Sequence, residues 1–343
     1  MTTQLEQRLE TALARLPRVE LSSVRPTPLE PLPRLSELLG GPPLYIKRDD
    51  LTGLGFGGNK TRMLEFALAD ARRAGADVIV TGAAVQSNYC RQMAAACARL
   101  GLELHLLLRP VRPIDRQEIQ GNHLLQRLFG AQVTVLETAD FAPQRRAIEE
   151  RMGQLRAQGR TPYWPRRDAT VDLDALAYAE VALEIVRQAR DLDIAPAFLY
   201  VAALDTTQAG LVLGLSCLHS SMKVRGFSPF ENMPGRFADM ARIANQGAVR
   251  VGLGVQLAPA DFTNDDSFVG TGYGIPTQGS LEALRAVART EGILLDPVYT
   301  SKAMAGLFAH IRSGHLAADQ PVLFLHTGGT PALFGYSRDL LES

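Results

Sequence analysis

From Leu44 onward, short runs rich in β-branched and aliphatic residues alternate with longer segments of helical periodicity. That alternation confines the chain to parallel α/β sheets with helices on their faces. The spacing predicts strands at 44–48, 77–81, 103–108, 131–136, 161–164, 197–202, 223–227 and 321–325. It predicts helices near 60–74, 87–100, 116–129, 143–157, 174–190, 207–219, 234–246, 279–291 and 300–312. Upstream, Leu recurs among Glu, Gln and Arg at helical spacing, the pattern of an amphipathic surface helix and not of a secretory signal. Apart from its one helical pattern, the stretch 230–278 reads as loop.

With 343 residues, 46% of them hydrophobic, the chain can bury one large core or two moderate ones. Thirty-six basic residues balance thirty-six acidic ones, so no net field draws the protein to nucleic acid or to an anionic membrane. A small-molecule ligand is the better expectation. No apolar run approaches the ~18 residues needed to span a bilayer. Cys90, Cys97 and Cys217 have no metal-ligand spacing, and His326 is the one histidine in a candidate site turn. A reduced, cytoplasmic protein without a metal is expected.

In such sheets ligands sit beyond the carboxyl ends of strands, where turns present backbone N–H groups and helix starts. Four turns meet that description: GFGGNKTR at 55–62, GAAVQSNYCRQ at 82–92, AALDTTQAG at 202–210 and HTGGTPALF at 326–334. In the first, Asn59 is a candidate N-cap and Lys60 opens a helix, where a cation opposes the helix dipole. The conflict disappears if Lys60 is neutral, as an imine to an aldehyde cofactor. Gln86, Ser87 and Asn88 converge on a helix start suited to an anion. Thr206, Thr207, Gln208, Ala209 and Gly210 supply the small residues, amides and hydroxyls of a phosphate cup.

Together these segments resemble the pyridoxal-phosphate family of D-cysteine desulfhydrase and 1-aminocyclopropane-1-carboxylate deaminase. KRDDLTGLGFGGNKTRMLEFALADA is similar to the family's cofactor-lysine segment, VQSNYCRQMAAACARLGL to its substrate-carboxylate turn, GYGIP and DPVYTSK to its tyrosine segments, and HTGGTPALFGY to the C-terminal turn of the desulfhydrase branch. The resemblance implies fold type II, the tryptophan synthase β-like arrangement of two open, mostly parallel twisted sheets flanked by helices. It implies a small domain at 64–172 and a large one from 1–63 and 173–343, in a homodimer. Lys60 would carry pyridoxal 5′-phosphate, with Asn88 at its 3′ oxygen, residues 206–210 at its phosphate and Thr327 at its pyridine nitrogen. Gln86, Ser87, Asn88 and Tyr89 would bind the substrate, and Lys60, Ser87, Tyr273 and Tyr299 would serve catalysis.

Several residues depart from the family. Relatives carry His at Tyr89, Gly at Asp205 and small residues at Arg166, Arg167 and Asp168. The deaminase branch has Glu after its second tyrosine, where this chain has Thr300. A neutral partner leaves the pyridine ring a weaker electron sink, which favours β-elimination over ring opening. Asp205, beside a phosphate, is expected to weaken cofactor binding through repulsion unless it turns to a basic side chain. The resulting reading is a lyase or deaminase of the D-cysteine desulfhydrase type, forming a 2-oxo acid and ammonia from a small amino acid. The rivals are a ring-opening, β-replacement or cyclisation enzyme on the same frame, and a non-catalytic binding protein with a degenerate cofactor site.

Overall fold

The structure, a computed structural model, describes residues 3–341. In chain order its elements are α1 (Gln4–Ala14), β1 (Leu29–Pro31), α2 (Pro33–Leu39), β2 (Leu44–Arg48), α3 (Lys60–Arg73), β3 (Val78–Thr81), α4 (Asn88–Leu100), β4 (Glu103–Leu108), α5 (Gly121–Leu128), β5 (Gln132–Val135), α6 (Phe141–Ala157), β6 (Pro162–Tyr163), α7 (Val171–Asp191), β7 (Phe198–Ala202), α8 (Thr206–Cys217), β8 (Lys223–Phe227), α9 (Arg236–Val251), β9 (Thr263–Asp265), α10 (Gln278–Glu291), α11 (Thr300–Arg312), β10 (Val322–His326) and α12 (Ser337–Leu341). They build two sheets, one in the order β1-β2-β10-β7-β8-β9 and one in the order β5-β4-β3-β6. Every strand pair is parallel except β1 with β2.

Both faces of each sheet are covered, which is why the central strands read as unbroken apolar runs. In β10, Leu323 and Leu325 face the core beneath α7, α8 and α9, while Val322 and Phe324 face the core beneath α10 and α11. In β3, Ile79 packs toward α4, and Val78 and Val80 pack toward Ile148 and Met152 of α6. The amphipathic start forms α1, which buries Leu9 and Leu13 and sets Glu6 against Arg187 and Arg190 of α7. No helix among the described residues is long and apolar enough to cross a membrane.

The sequence pattern misses β1, β9, α2 and the five-residue α12. Three-residue strands carry no periodic signal, and Pro31 suits only an edge position such as β1. The helix expected at 116–129 is shorter: a 3₁₀ turn at Pro113–Arg116 precedes α5, which begins only at Gly121.

A buried ion network ties α3 to its surroundings. Arg62, fully buried, donates to Glu184 at 2.7 Å and to Asp49 at 3.0 Å, and Lys47 pairs with Glu184 at 2.8 Å. Asp49 also accepts from Thr27 and Tyr178, each at 2.7 Å. Two cations face two carboxylates, so removing one leaves an uncompensated buried charge. Arg62→Met is expected to cost about 3–5 kcal/mol in denaturant-unfolding free energy. A loss below about 1 kcal/mol would show that the network is dispensable.

Candidate active site

The carboxyl ends of both sheets look onto one cavity of about 460 Å³, within the ~300–1,000 Å³ usual for ligand sites. The chain has four lysines, and among them Lys60 alone lines this cavity. Lys47 is held in the ion network, Lys223 is exposed on β8, and Lys302 donates to the carbonyls of Val269 and Gly272.

The turn before Lys60 is clamped from several sides. Gly57 has a φ of 66°, and a Cβ there would lie 2.0 Å from the Asp50 carbonyl oxygen. Arg91, fully buried, donates to the Gly55 and Gly57 carbonyls. Gln92 Oε1 accepts from the Thr61 amide at 2.8 Å and so caps α3 from α4. Asn59 occupies the N-cap position of α3, as expected, but its side chain makes no capping hydrogen bond. Its backbone is already helical, and its side chain donates to Thr207 Oγ1 at 3.3 Å while its amide donates to the Thr327 carbonyl at 2.9 Å. It thereby links the lysine turn to two of the other three.

Burial first, and the Arg166 cation second, push the Lys60 amine down to about 8, although Asp205 and Asp174 offset part of the shift. Among the described residues the amine's one polar contact is Met63 Sδ, at 3.6 Å, and it has no ion-pair partner. Ser87 caps α4 by accepting from the Cys90 amide at 3.2 Å, and it lines the cavity with Asn88 and Tyr89. Asn88 Oδ1 is fixed by Asn122 at 2.8 Å. Tyr273 and Tyr299 share a hydroxyl–hydroxyl hydrogen bond on the cavity wall, and Phe230 stacks on Tyr273 at 4.5 Å. Burial pushes the Tyr273 phenol up to about 12 and also raises Tyr299 well above the ordinary phenol range, so both stay protonated near neutrality.

Other expected site residues are placed differently. Gln86 turns to α5, where its Oε1 accepts from Asn122 N at 2.9 Å and its Nε2 donates to the Gln120 carbonyl at 3.0 Å; it does not line the cavity. In the 206–210 turn only Thr207 reaches the cavity surface. Thr206 and Ala209 are buried, Gln208 is bonded to Thr263 and Asn264, and Gly210 lets α8 approach α7, since a Cβ would lie 1.9 Å from the Ala175 carbonyl oxygen. Thr327 lines the cavity, whereas the Thr300 hydroxyl is spent on Asp296 at 2.7 Å.

Asp205 resolves its expected conflict by pairing. Its Oδ2 accepts from Arg166 Nη2 at 2.8 Å and its Oδ1 from the Thr206 amide at 2.6 Å, while Arg166 Nε reaches Asp174 at 3.1 Å. Two departures from the family thus meet as one ion pair, and Arg166 lies over the Tyr89 ring, 5.6 Å from its centroid. Arg166 is the basic side chain whose presence is the alternative to repulsion. Arg109, Asp174, Phe141, Trp164 and Phe230 were not singled out from the sequence. Arg109 was discoverable, since it directly follows the strand at 103–108, at its carboxyl end.

A family model for pyridoxal-phosphate dependent enzymes matches residues 21–328. The chain belongs to the pyridoxal-phosphate-dependent enzymes. It is similar to D-cysteine desulfhydrases of Salmonella typhi, 41% identical over 94% of this chain and 97% of that protein, and of Klebsiella pneumoniae, 42% identical over 96% and 98%. The crystal structure of an ACC deaminase homologue is similar across 98% of both chains, with 36% identity and a TM-score of 0.88. Escherichia coli diaminopropionate ammonia lyase, at 15% identity and a TM-score of 0.69, shares the fold.

The polar groups left unused suit the family's cofactor. The amides of Thr207 and Gln208 have no backbone acceptor at the start of α8, the Lys60 amine has no ion-pair partner, and the Thr327 hydroxyl has no partner among the described residues. Amides at a helix start suit a phosphate, an amine suits an aldehyde and a hydroxyl suits a ring nitrogen.

If Lys60 takes up the aldehyde, its surroundings make that capture pH-dependent. Only the neutral amine attacks, so the rate at which apoprotein takes up the cofactor should rise with pH through about 8 and then level, not continue toward 10.5 as for an ordinary lysine. Arg166→Met removes a cation that disfavours the ammonium form and should move the midpoint up. Asp205→Asn removes an anion that favours it and should move the midpoint down. Absorbance-monitored uptake across pH checks both signs, and unchanged midpoints would contradict the assignment.

Proposed function

We propose that the protein is a lyase of the D-cysteine desulfhydrase type, which eliminates a β-substituent from a small amino acid to give a 2-oxo acid and ammonia. The observation that carries this reading is the cavity's acid inventory. Asp205 is its only carboxylate among the described residues, and Arg166 occupies it, so Thr327 offers a neutral hydroxyl to the pyridine nitrogen. Thr300, where the deaminase branch has Glu, is turned away to Asp296. Similarity to the Salmonella and Klebsiella desulfhydrases supports the same direction.

Lys60, Asn88, the amides of Thr207 and Gln208, and Thr327 hold the cofactor. Bound there, pyridoxal phosphate supplies the electron-withdrawing ring that acidifies the substrate's α-hydrogen. The amides of Asn88 and Tyr89, which have no backbone acceptor, bind the substrate carboxylate with the Ser87 hydroxyl beside them. Lys60 Nζ, with its depressed pKa, accepts the α-proton near neutral pH. The paired hydroxyls of Tyr273 and Tyr299 remain protonated and donate toward the departing β-group.

In this reading residues 64–172 form a small domain that carries the carboxylate turn, and 1–63 with 173–343 form the cofactor domain; β3–β6 and the remaining strands divide between the two sheets accordingly. A homodimer is supported by the exposed Leu124 and Leu128 of α5 and by Phe334, since the start of α5 meets the 330–335 turn. A cytoplasmic location is supported by three buried, unpaired cysteines.

Holoprotein should form 2-oxo acid and ammonia from D-cysteine and β-chloroalanine at least about tenfold faster than from 1-aminocyclopropane-1-carboxylate, a difference of about 1.4 kcal/mol in barrier. Ser87→Ala should raise KM, slow turnover, or both. Efficient ring opening, or no 2-oxo acid from any of these substrates, would refute the proposal.

A further inference from the structure

Arg109 stands at the carboxyl end of β4, bonded into the loop that leads to the substrate turn. Its amide donates to the Ala83 carbonyl at 2.9 Å, and its own carbonyl accepts from the Val85 amide at 3.0 Å. The residue is only 6% exposed, yet it lines the cavity. Nε donates to Gln144 Oε1 at 2.8 Å and Nη1 to the Ala139 carbonyl at 2.6 Å. The guanidinium also lies 3.8 Å from the centroid of the Phe141 ring.

All of these partners are uncharged. No carboxylate comes within ion-pair distance of Arg109 among the described residues, and Asp140 acts on it only from farther away. Nη2 has no partner among the described residues and is not among the fully buried unpaired atoms. The other buried arginines differ. Arg62 faces Asp49 and Glu184, Arg112 faces Asp115 and Asp339, and Arg91 spends both terminal nitrogens on the carbonyls of the glycine turn. Burial pushes the Arg109 pKa down, but a guanidinium keeps its charge near neutrality. Arg109 is therefore a positioned cation with one open edge and no counter-ion.

We infer that Arg109 binds a second anionic group, carried on the substrate's side chain, so that the site takes amino acids bearing a carboxylate or comparable oxyanion beyond the α-carbon. The inference rests on the lyase reading, which assigns the α-carboxylate to the amides of Asn88 and Tyr89 and leaves Arg109 for the side chain. Arg109 pairs with Ala84 in a backbone bridge at the foot of the substrate turn, and its side chain lines the same cavity as Ser87, Asn88 and Tyr89. A planar guanidinium with a free edge suits an oxyanion and stacks on an aromatic plate, here Phe141.

Aspartate and asparagine are matched in size and differ by the side-chain charge. Trp164, the single tryptophan of the chain, lines the cavity and reports occupancy without any turnover. Titration of the holoprotein with each enantiomer, read by Trp164 fluorescence, should show one enantiomer of aspartate binding at least about tenfold tighter than its asparagine, the scale of a charge-assisted contact. Arg109→Gln should bring that ratio close to one, and Arg109→Lys should keep part of it. Equal binding of aspartate and asparagine by the wild type overturns the inference even if the Gln variant does not fold, and an unchanged ratio in Arg109→Gln overturns it as well. Formation of 2-oxo acid from D-cysteine, measured on the same preparation, is a separate readout: its absence strikes the lyase reading and leaves the fluorescence ratio to decide the role of Arg109.

Discussion

The position of Lys60 depends on the buried ion network anchored two residues further along α3. Arg62 reaches Asp49 beyond β2 and Glu184 of α7, and Lys47 closes the set from within β2. An apolar cluster would bury the same volume without desolvating four charges, and such replacements are often neutral or stabilising. The network instead specifies one rotation and one depth for α3, because a shift along the helix axis would break directional bonds at several atoms together. The clamp by Arg91 and Gln92 then fixes the turn immediately upstream. Helix and turn are thus held by polar contacts on both sides of the one lysine that lines the cavity.

Electrostatics around the cavity follows from that placement. Lys60, Arg109 and Arg166 bring three cations to the wall, against the single carboxylate of Asp205, with Asp174 behind. The excess of positive charge suits ligands that carry more than one anionic group, and the cofactor's phosphate is the first of them. The Arg166–Asp205 pair also shows how a substitution unfavourable in isolation is accommodated. A carboxylate at the start of α8 takes the Thr206 amide, and a guanidinium from the segment before α7 neutralises it.

The sheet-and-helix order was legible because the buried parallel strands are long apolar runs and the helices carry caps and periodicity; β10 and α4 are plain cases. Edge strands β1 and β9 were not, since three residues hold no period and their pairing is set by neighbours distant in sequence. Among site residues, Lys60, Ser87, Thr207 and Thr327 sit at strand ends and helix starts, where local pattern and site coincide. Gln86, Gln208 and Thr300 share those turns but point elsewhere, toward Asn122, Thr263 and Asp296. Side-chain direction within a turn is decided by tertiary partners, which spacing does not encode. Asp205 illustrates the same limit: its residue type announced a conflict, and only the fold shows the arginine that answers it.

The central claim is that Lys60 binds the cofactor covalently. Borohydride reduction of the holoprotein, followed by tryptic mapping, tests it with little ambiguity because the chain has only four lysines. Modification at Lys60 blocks cleavage there, so the label should appear in the peptide spanning Asp49 to Arg62. Recovery of the label at Lys47, Lys223 or Lys302, or cleavage at Lys60 with no label retained, would contradict the account.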